Sequence, residues 1–125
     1  MKPEAALHRA VADYLRLTLA PPTIWSTFPS GGGGRVRGAQ LKALGLRKGW
    51  PDLIVVHPAL HPGYSLVVGL ELKAAKGRLS PEQEAMRGAF AAAGAWYFVC
   101  RSLEDVERAL REAHVPIHSK IVRAA

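Results

Sequence analysis

Apolar positions along this chain change period several times, and each change marks an element. From Pro3 to Leu19 the residues Leu7, Val11, Tyr14, Leu15 and Thr18 recur at helical spacing, with Pro3 suited to the first turn and Pro21-Pro22 ending the pattern. Extended backward by a turn, the stripe reaches Glu4 and takes in His8, so both face the protein. A first-turn acid complementing the helix dipole is the plain reading of Glu4, and a packed or hydrogen-bonded core histidine that of His8. Thr23 to Phe28 is β-branched and aromatic and predicts an outer strand. Gly31 to Gly34, with Ser30 before and Arg35 and Arg37 after, predicts a flexible loop that serves as a linker or brings its backbone close to a partner. Ala39 to Leu44 can form a short helix, and Gly45 to Gly49 reads as loop.

The next stretch organises the rest. Pro51 lacks a ladder donor and belongs at the start of a strand, so Asp52 stands at the mouth of the apolar run Leu53 to Val56. His57 to Gly63 is a turn region, and Ser65 to Lys73 is apolar almost to its end, as in a central strand covered on both faces. A turn centred at about residue 61 makes these runs an antiparallel hairpin with Asp52 roughly opposite Glu71. Glu71 and Lys73, two apart, share a face. Two carboxylates and an ammonium then converge, and a carboxylate so close to an apolar interior needs a partner: Lys73, a metal, or solvent.

Beyond the basic loop Ala74 to Arg78, Ser80-Pro81-Glu82-Gln83 predicts a capped helix running to Ala93 and stopping at Gly94, with Gln83 as reciprocal partner of a capping box. Trp96 to Cys100 predicts a strand. Ser102 caps a last helix with Val106, Ala109, Leu110 and Ala113 on one face. The tail from Val115 to Ala125 carries little pattern. A strand-helix-strand unit from Leu66 to Cys100 calls for parallel pairing, so the sheet is expected to be mixed, in one α/β domain spanning residues 1–125.

Composition narrows the function. Of 125 residues, 49% are hydrophobic and 22% charged, as in a soluble globular protein. Seventeen Lys and Arg against ten Asp and Glu give a net charge of +7, and Phe28 to Trp50 holds Arg35, Arg37, Lys42, Arg47 and Lys48 with no acid. A polyanion suits that surface. The glycine run is no P-loop, which needs Gly-Lys-Ser/Thr and a following helix. His57 and His61 have no Cys or His companions at zinc spacing. The lone Cys100 sits in an apolar run, and neither a membrane-spanning stretch nor a signal peptide is evident, which together predict a cytoplasmic protein.

Glu4 on the first helix, Gly49-Trp-Pro-Asp52, Glu71-Leu-Lys73, and Ser80-Pro-Glu-Gln83 followed by Gly94 and a strand ending Arg101-Ser102 resemble the virus-type replication-repair nuclease (VRR-NUC) domain of the PD-(D/E)xK superfamily. The likeness spans about residues 4–110. It implies a restriction-endonuclease-like core, a mixed central sheet flanked by helices, and a metal-dependent phosphodiesterase. In that pattern Asp52 and Glu71 hold Mg2+ or Mn2+ with the Leu72 carbonyl, Glu4 faces the metal through water, Lys73 lies near the attacking water, and Gln83 lies beside the site. An all-oxygen donor set suits a hard cation that keeps several waters. Arg35, Arg37, Lys42, Arg47, Lys48, Lys76 and Arg78 are the expected DNA contacts. With no added recognition domain, stand-alone members look like phage or prophage proteins, which places this one in a bacterial or phage-infected host cell. The expectation is a homodimeric, structure-selective endonuclease on branched DNA such as four-way junctions, without an organic cofactor. The competing readings are a nuclease for flap or nicked DNA and a non-catalytic DNA-binding module with a degenerate nuclease fold.

Overall fold

In the computed structural model, residues 2–28 and 34–118 are described. The elements run α1 (Pro3–Thr18), β1 (Ile24–Thr27), α2 (Gly34–Ala43), β2 (Leu53–Pro58), β3 (Ser65–Leu72), α3 (Pro81–Ala92), β4 (Trp96–Cys100) and α4 (Leu103–Glu112). The four strands lie in the order β1-β2-β3-β4. β1 and β3 both pair antiparallel with β2, while β4 joins β3 in parallel through α3. The expected mixed sheet is therefore present.

Alternation along the strands sorts the two faces. Leu53, Val55, Val68, Leu70, Leu72 and Cys100 point one way and are buried against Val11, Tyr14 and Leu15 of α1 and Val106, Ala109 and Leu110 of α4. Ile54, Gly69 and Tyr97, in register with one another, point the other way, towards α3. There Phe90 of α3 meets Trp50 and Tyr97 edge to face, at centroid distances of 5.1 and 5.4 Å. Gly69 makes this closure possible: a Cβ on it would lie 2.9 Å from Pro51 Cγ and 3.0 Å from Phe90 Cε2.

One expectation is corrected. Arg35 and Arg37 are not in a loop, because α2 begins at Gly34 and takes in the whole basic stretch to Ala43. Arg, Ala, Gln, Leu and Lys are good helix formers, but α2 buries no residue and so has no apolar stripe to announce it. Ser30 to Gly33 and the tail beyond His118 lie outside the described residues. Before that point Val115 and Ile117 pack on the core, and the His118 N–H donates to the Thr18 carbonyl at 2.8 Å. Among the described residues no helix is long and apolar enough to cross a membrane.

Candidate active site

The β2–β3 register brings the two acids together. Leu53 pairs with Leu70, and each step away from the turn adds one residue on both strands, so Asp52 stands across from Glu71 on the α3 face. Pro51 shapes this end of the ladder. Leu72 falls opposite Pro51, which has no N–H to give the Leu72 carbonyl, and the Leu72 N–H turns to Asp52 Oδ2 at 2.8 Å. In such a pair a residue's N–H and C=O point to the same neighbouring strand. The Leu72 carbonyl thus faces Asp52 without its ladder donor.

Glu71 is only 4% exposed. Its Oε2 accepts from Gln83 Nε2 at 2.8 Å, while Oε1 is buried with no donor among the described residues. Gln83 fills both roles foreseen for it. Its Oε1 accepts from the Ser80 N–H at 2.9 Å and its own N–H donates to Ser80 Oγ at 3.1 Å, closing the capping box at the start of α3. The free end of the same amide then reaches Glu71. Gly49, at φ +86°, lets the Gly49-Trp50-Pro51 segment lie against this turn, where a side chain would run into the Glu82 carbonyl. The Tyr97 hydroxyl donates to the Gly49 carbonyl at 3.1 Å and fixes it from the other side.

Burial holds both acids above the ordinary carboxylate range. For Glu71 desolvation is the larger cause and the Asp52 charge the next; Lys73 pulls it back down. Asp52 is also raised by burial, but the Leu72 N–H and His8 oppose the rise. The pair therefore holds a proton more readily than two solvated carboxyls would. Two carboxyls facing each other across paired strands can bond directly only while they share a proton. A cation would replace that proton. A buried and a half-buried carboxyl, an undonated oxygen and a carbonyl without its ladder donor fit a hard divalent ion. Among the described residues no three His, Cys, Asp or Glu side chains are grouped to hold a metal by themselves, so carbonyl and water oxygens would complete the set.

The remaining candidates fall on two sides. Glu4, on the first turn of α1, is exposed and accepts from the Ala74 N–H at 3.4 Å. A Cβ on Gly77 would sit 3.4 Å from Glu4 Oε1 and 3.5 Å from Lys73 Cδ, so Glu4 and Lys73 meet over the 74–78 loop with exposed Lys76 and Arg78. Lys73 makes no ion pair among the described residues. His8 has the hydrogen-bonded role expected: Nε2 lies 2.8 Å from Thr27 Oγ1, which in turn donates to the Asp52 carbonyl at 3.0 Å. His57 is bonded to Thr23 at 2.7 Å.

On the other side a cleft of about 1030 Å3 separates α2 from α3 and reaches Asp52, Glu71 and Gln83. Arg35, Lys42, Arg47 and Lys48 line it, whereas Arg37, Lys76 and Arg78 do not. Reading the sequence left three contributors without a role: Trp50, which packs edge to face between Phe28 and Phe90; Gly69; and Arg101, whose guanidinium grips the 74–77 loop. Trp50 and Arg101 stood inside the matched motifs with no role of their own, and only its small size hinted at Gly69.

Residues 33–104 match the family model described as the VRR-NUC domain. A solved structure described as a VRR_NUC domain protein is similar with a TM-score of 0.68, at 17% identity over 90% of this chain and 88% of that one. Another, described as a VRR_NUC domain, gives a TM-score of 0.55 at 21% identity over 90% and 97%. Among curated proteins none matches. The shared fold is the restriction-endonuclease-like α/β arrangement.

Proposed function

The chain belongs to the VRR-NUC family and is a nuclease-type domain, and on that premise we propose that it is a metal-dependent, structure-selective endonuclease for branched DNA such as four-way junctions. The observation that carries this reading is the Asp52–Glu71 pair: two desolvated carboxyls, one oxygen undonated, at the floor of a basic cleft. Structural ion pairing does not account for it, since among the described residues neither acid has a cationic partner within ion-pair distance.

Asp52, Glu71 and the Leu72 carbonyl would hold Mg2+ or Mn2+, with Glu4 reaching it through water. Such a cation, when bound, acidifies water and polarises a phosphate oxygen. Lys73, on the face of Glu71, orients the attacking water and steadies negative charge gathering on the phosphate. Gln83 keeps Glu71 turned into the site, and the Leu72 N–H does the same for Asp52. Arg35, Lys42, Arg47 and Lys48 seat the backbone in the cleft, and Arg37, Lys76 and Arg78 extend the contact outward. Two symmetric cuts at a four-way junction need two sites, while the described residues of each chain hold one such carboxylate pair, so a twofold homodimer belongs to the proposal.

Incubating the protein with labelled four-way junction, flap, nicked and linear duplex DNA in Mg2+ or Mn2+ tests this directly. Cleavage of the junction is expected, abolished by chelator and lowered by at least about 10²-fold in Asp52→Asn, Glu71→Gln and Lys73→Ala. Preference for flap or nicked DNA would redirect the substrate assignment. Salt-sensitive binding with no cleavage of any substrate would leave only a DNA-binding module.

A further inference from the structure

Arg101, just beyond β4, is exposed, yet its side chain is fixed. Nη1 donates to the Ala74 and Gly77 carbonyls at 2.7 Å each, with the Ala75 carbonyl at 3.4 Å. This nitrogen carries two hydrogens, and the two short bonds use both. The other donors are free: among the described residues Nη2 and Nε bond to nothing, and the guanidinium is in no ion pair. Asp105, four residues on, is taken up by the Arg101 main-chain N–H at 2.8 Å and by Arg108 at 2.9 Å. What remains is the Nε–Nη2 edge, whose two parallel N–H groups match two oxygens of one phosphate.

The position of this edge suits that match. Ala74 adjoins Lys73, and Gly77 lies against Glu4 and the Lys73 stem. Arg101 therefore stands on the Glu4–Lys73 rim, away from the cleft under α2. A free arginine loses rotamer freedom when it takes up a ligand. Arg101 has already lost it to the loop carbonyls.

We propose that Arg101 is a substrate-binding residue, whose Nε–Nη2 edge takes a DNA phosphate beside the one being cut while Nη1 stays on the loop. This rests on the nuclease reading and adds a second phosphate contact on the far rim of that site. A purely structural clamp would hold the loop equally well but would not bind DNA.

The experiment measures binding of the full chain to a fluorescent four-way junction, with chelator present, across a salt series and with single neutral methylphosphonates at successive linkages. Arg101→Ala is expected to weaken binding about tenfold or more at low salt and to reduce the slope of log K against log salt by about 0.9. Wild type should lose affinity at one particular linkage to which Arg101→Ala is indifferent. Arg101→Lys, which keeps the charge and one anchor but not the fork, should also lose most of its discrimination at that linkage, and it carries the test if the alanine variant does not fold. Unchanged slope and full sensitivity of both variants at every linkage would overturn the assignment, leaving Arg101 a clamp. Failure of wild type to bind DNA in this assay, with no cleavage of any DNA in Mg2+ or Mn2+ either, would instead overturn the nuclease reading itself.

Discussion

Gln83 commits its two ends to different tasks, Oε1 to the cap of α3 and Nε2 to Glu71, and paired substitutions separate them. Ser80→Ala removes one capping bond and is expected to lower stability by about 0.5–2 kcal/mol in thermal or denaturant unfolding, with a smaller fall in cleavage than Gln83→Ala, which also strands Glu71. Equal falls would mean that the bond to Glu71 is idle. A second residue-scale outcome concerns pH. Glu71 has its folded pKa raised by burial and by Asp52, so between the unfolded and folded values the native chain holds a proton that the unfolded chain has lost. Stability of the metal-free protein then falls as pH rises through that window. Asp105 works in the opposite sense, because the Arg101 N–H holds its pKa down, and its contribution is lost as pH falls through the folded value. Glu71→Gln should flatten the alkaline decline in a melting series over pH 5–9 and leave the acid limb in place. A decline of the same size in the variant would contradict the burial account. The Glu71–Lys73 spacing and the Asp52 position were legible in the sequence because strand periodicity and a hairpin turn fix both. The Gln83–Glu71 bond was not, since it joins a helix to a strand and follows only from how closely α3 sits on the sheet.

At the scale of elements, the hairpin and α2 teach opposite lessons. Proline and glycine punctuation around an apolar pair of runs located β2, β3 and their turn, and the observed register puts the same two acids face to face. α2 is not legible as a full helix in the sequence, because none of its residues is buried and apolar periodicity reports burial. Exposure suits a contact element. Replacing Arg35 and Lys42 together with alanine is expected to leave the melting temperature nearly unchanged while lowering the salt slope of DNA binding by about 0.9 per lost phosphate contact; an unaltered slope would remove α2 from the interface. The packing of α3 has its own test at Gly69. A methyl group there would press on Pro51 and Phe90, so Gly69→Ala should destabilise the protein by about 1–3 kcal/mol and lower activity through Asp52, which follows Pro51. Wild-type stability in this variant would show that the close approach is dispensable.

For the molecule as a whole, one face of the sheet is given to α1 and α4 for stability and the other to α3 for the site. The acids sit at the sheet end where the first turn of α1, the cap of α3 and the loop after β3 meet. Basic groups approach from two sides, through the cleft under α2 and over the 74–78 loop. Mixed-sheet architecture followed from the order of elements, whereas the two-sided basic surface required the three-dimensional positions of α2 and Arg101. Whether Asp52 and Glu71 form one cation site is read from a crystal structure of the full chain grown with Mn2+, with anomalous scattering recorded at the manganese edge. One peak per chain is expected, touching both carboxylates and the Leu72 carbonyl, with Glu4 reached through water, and no peak in Glu71→Gln. An empty Asp52–Glu71 pair in wild type at saturating Mn2+, or an undiminished peak in the variant, would contradict that site.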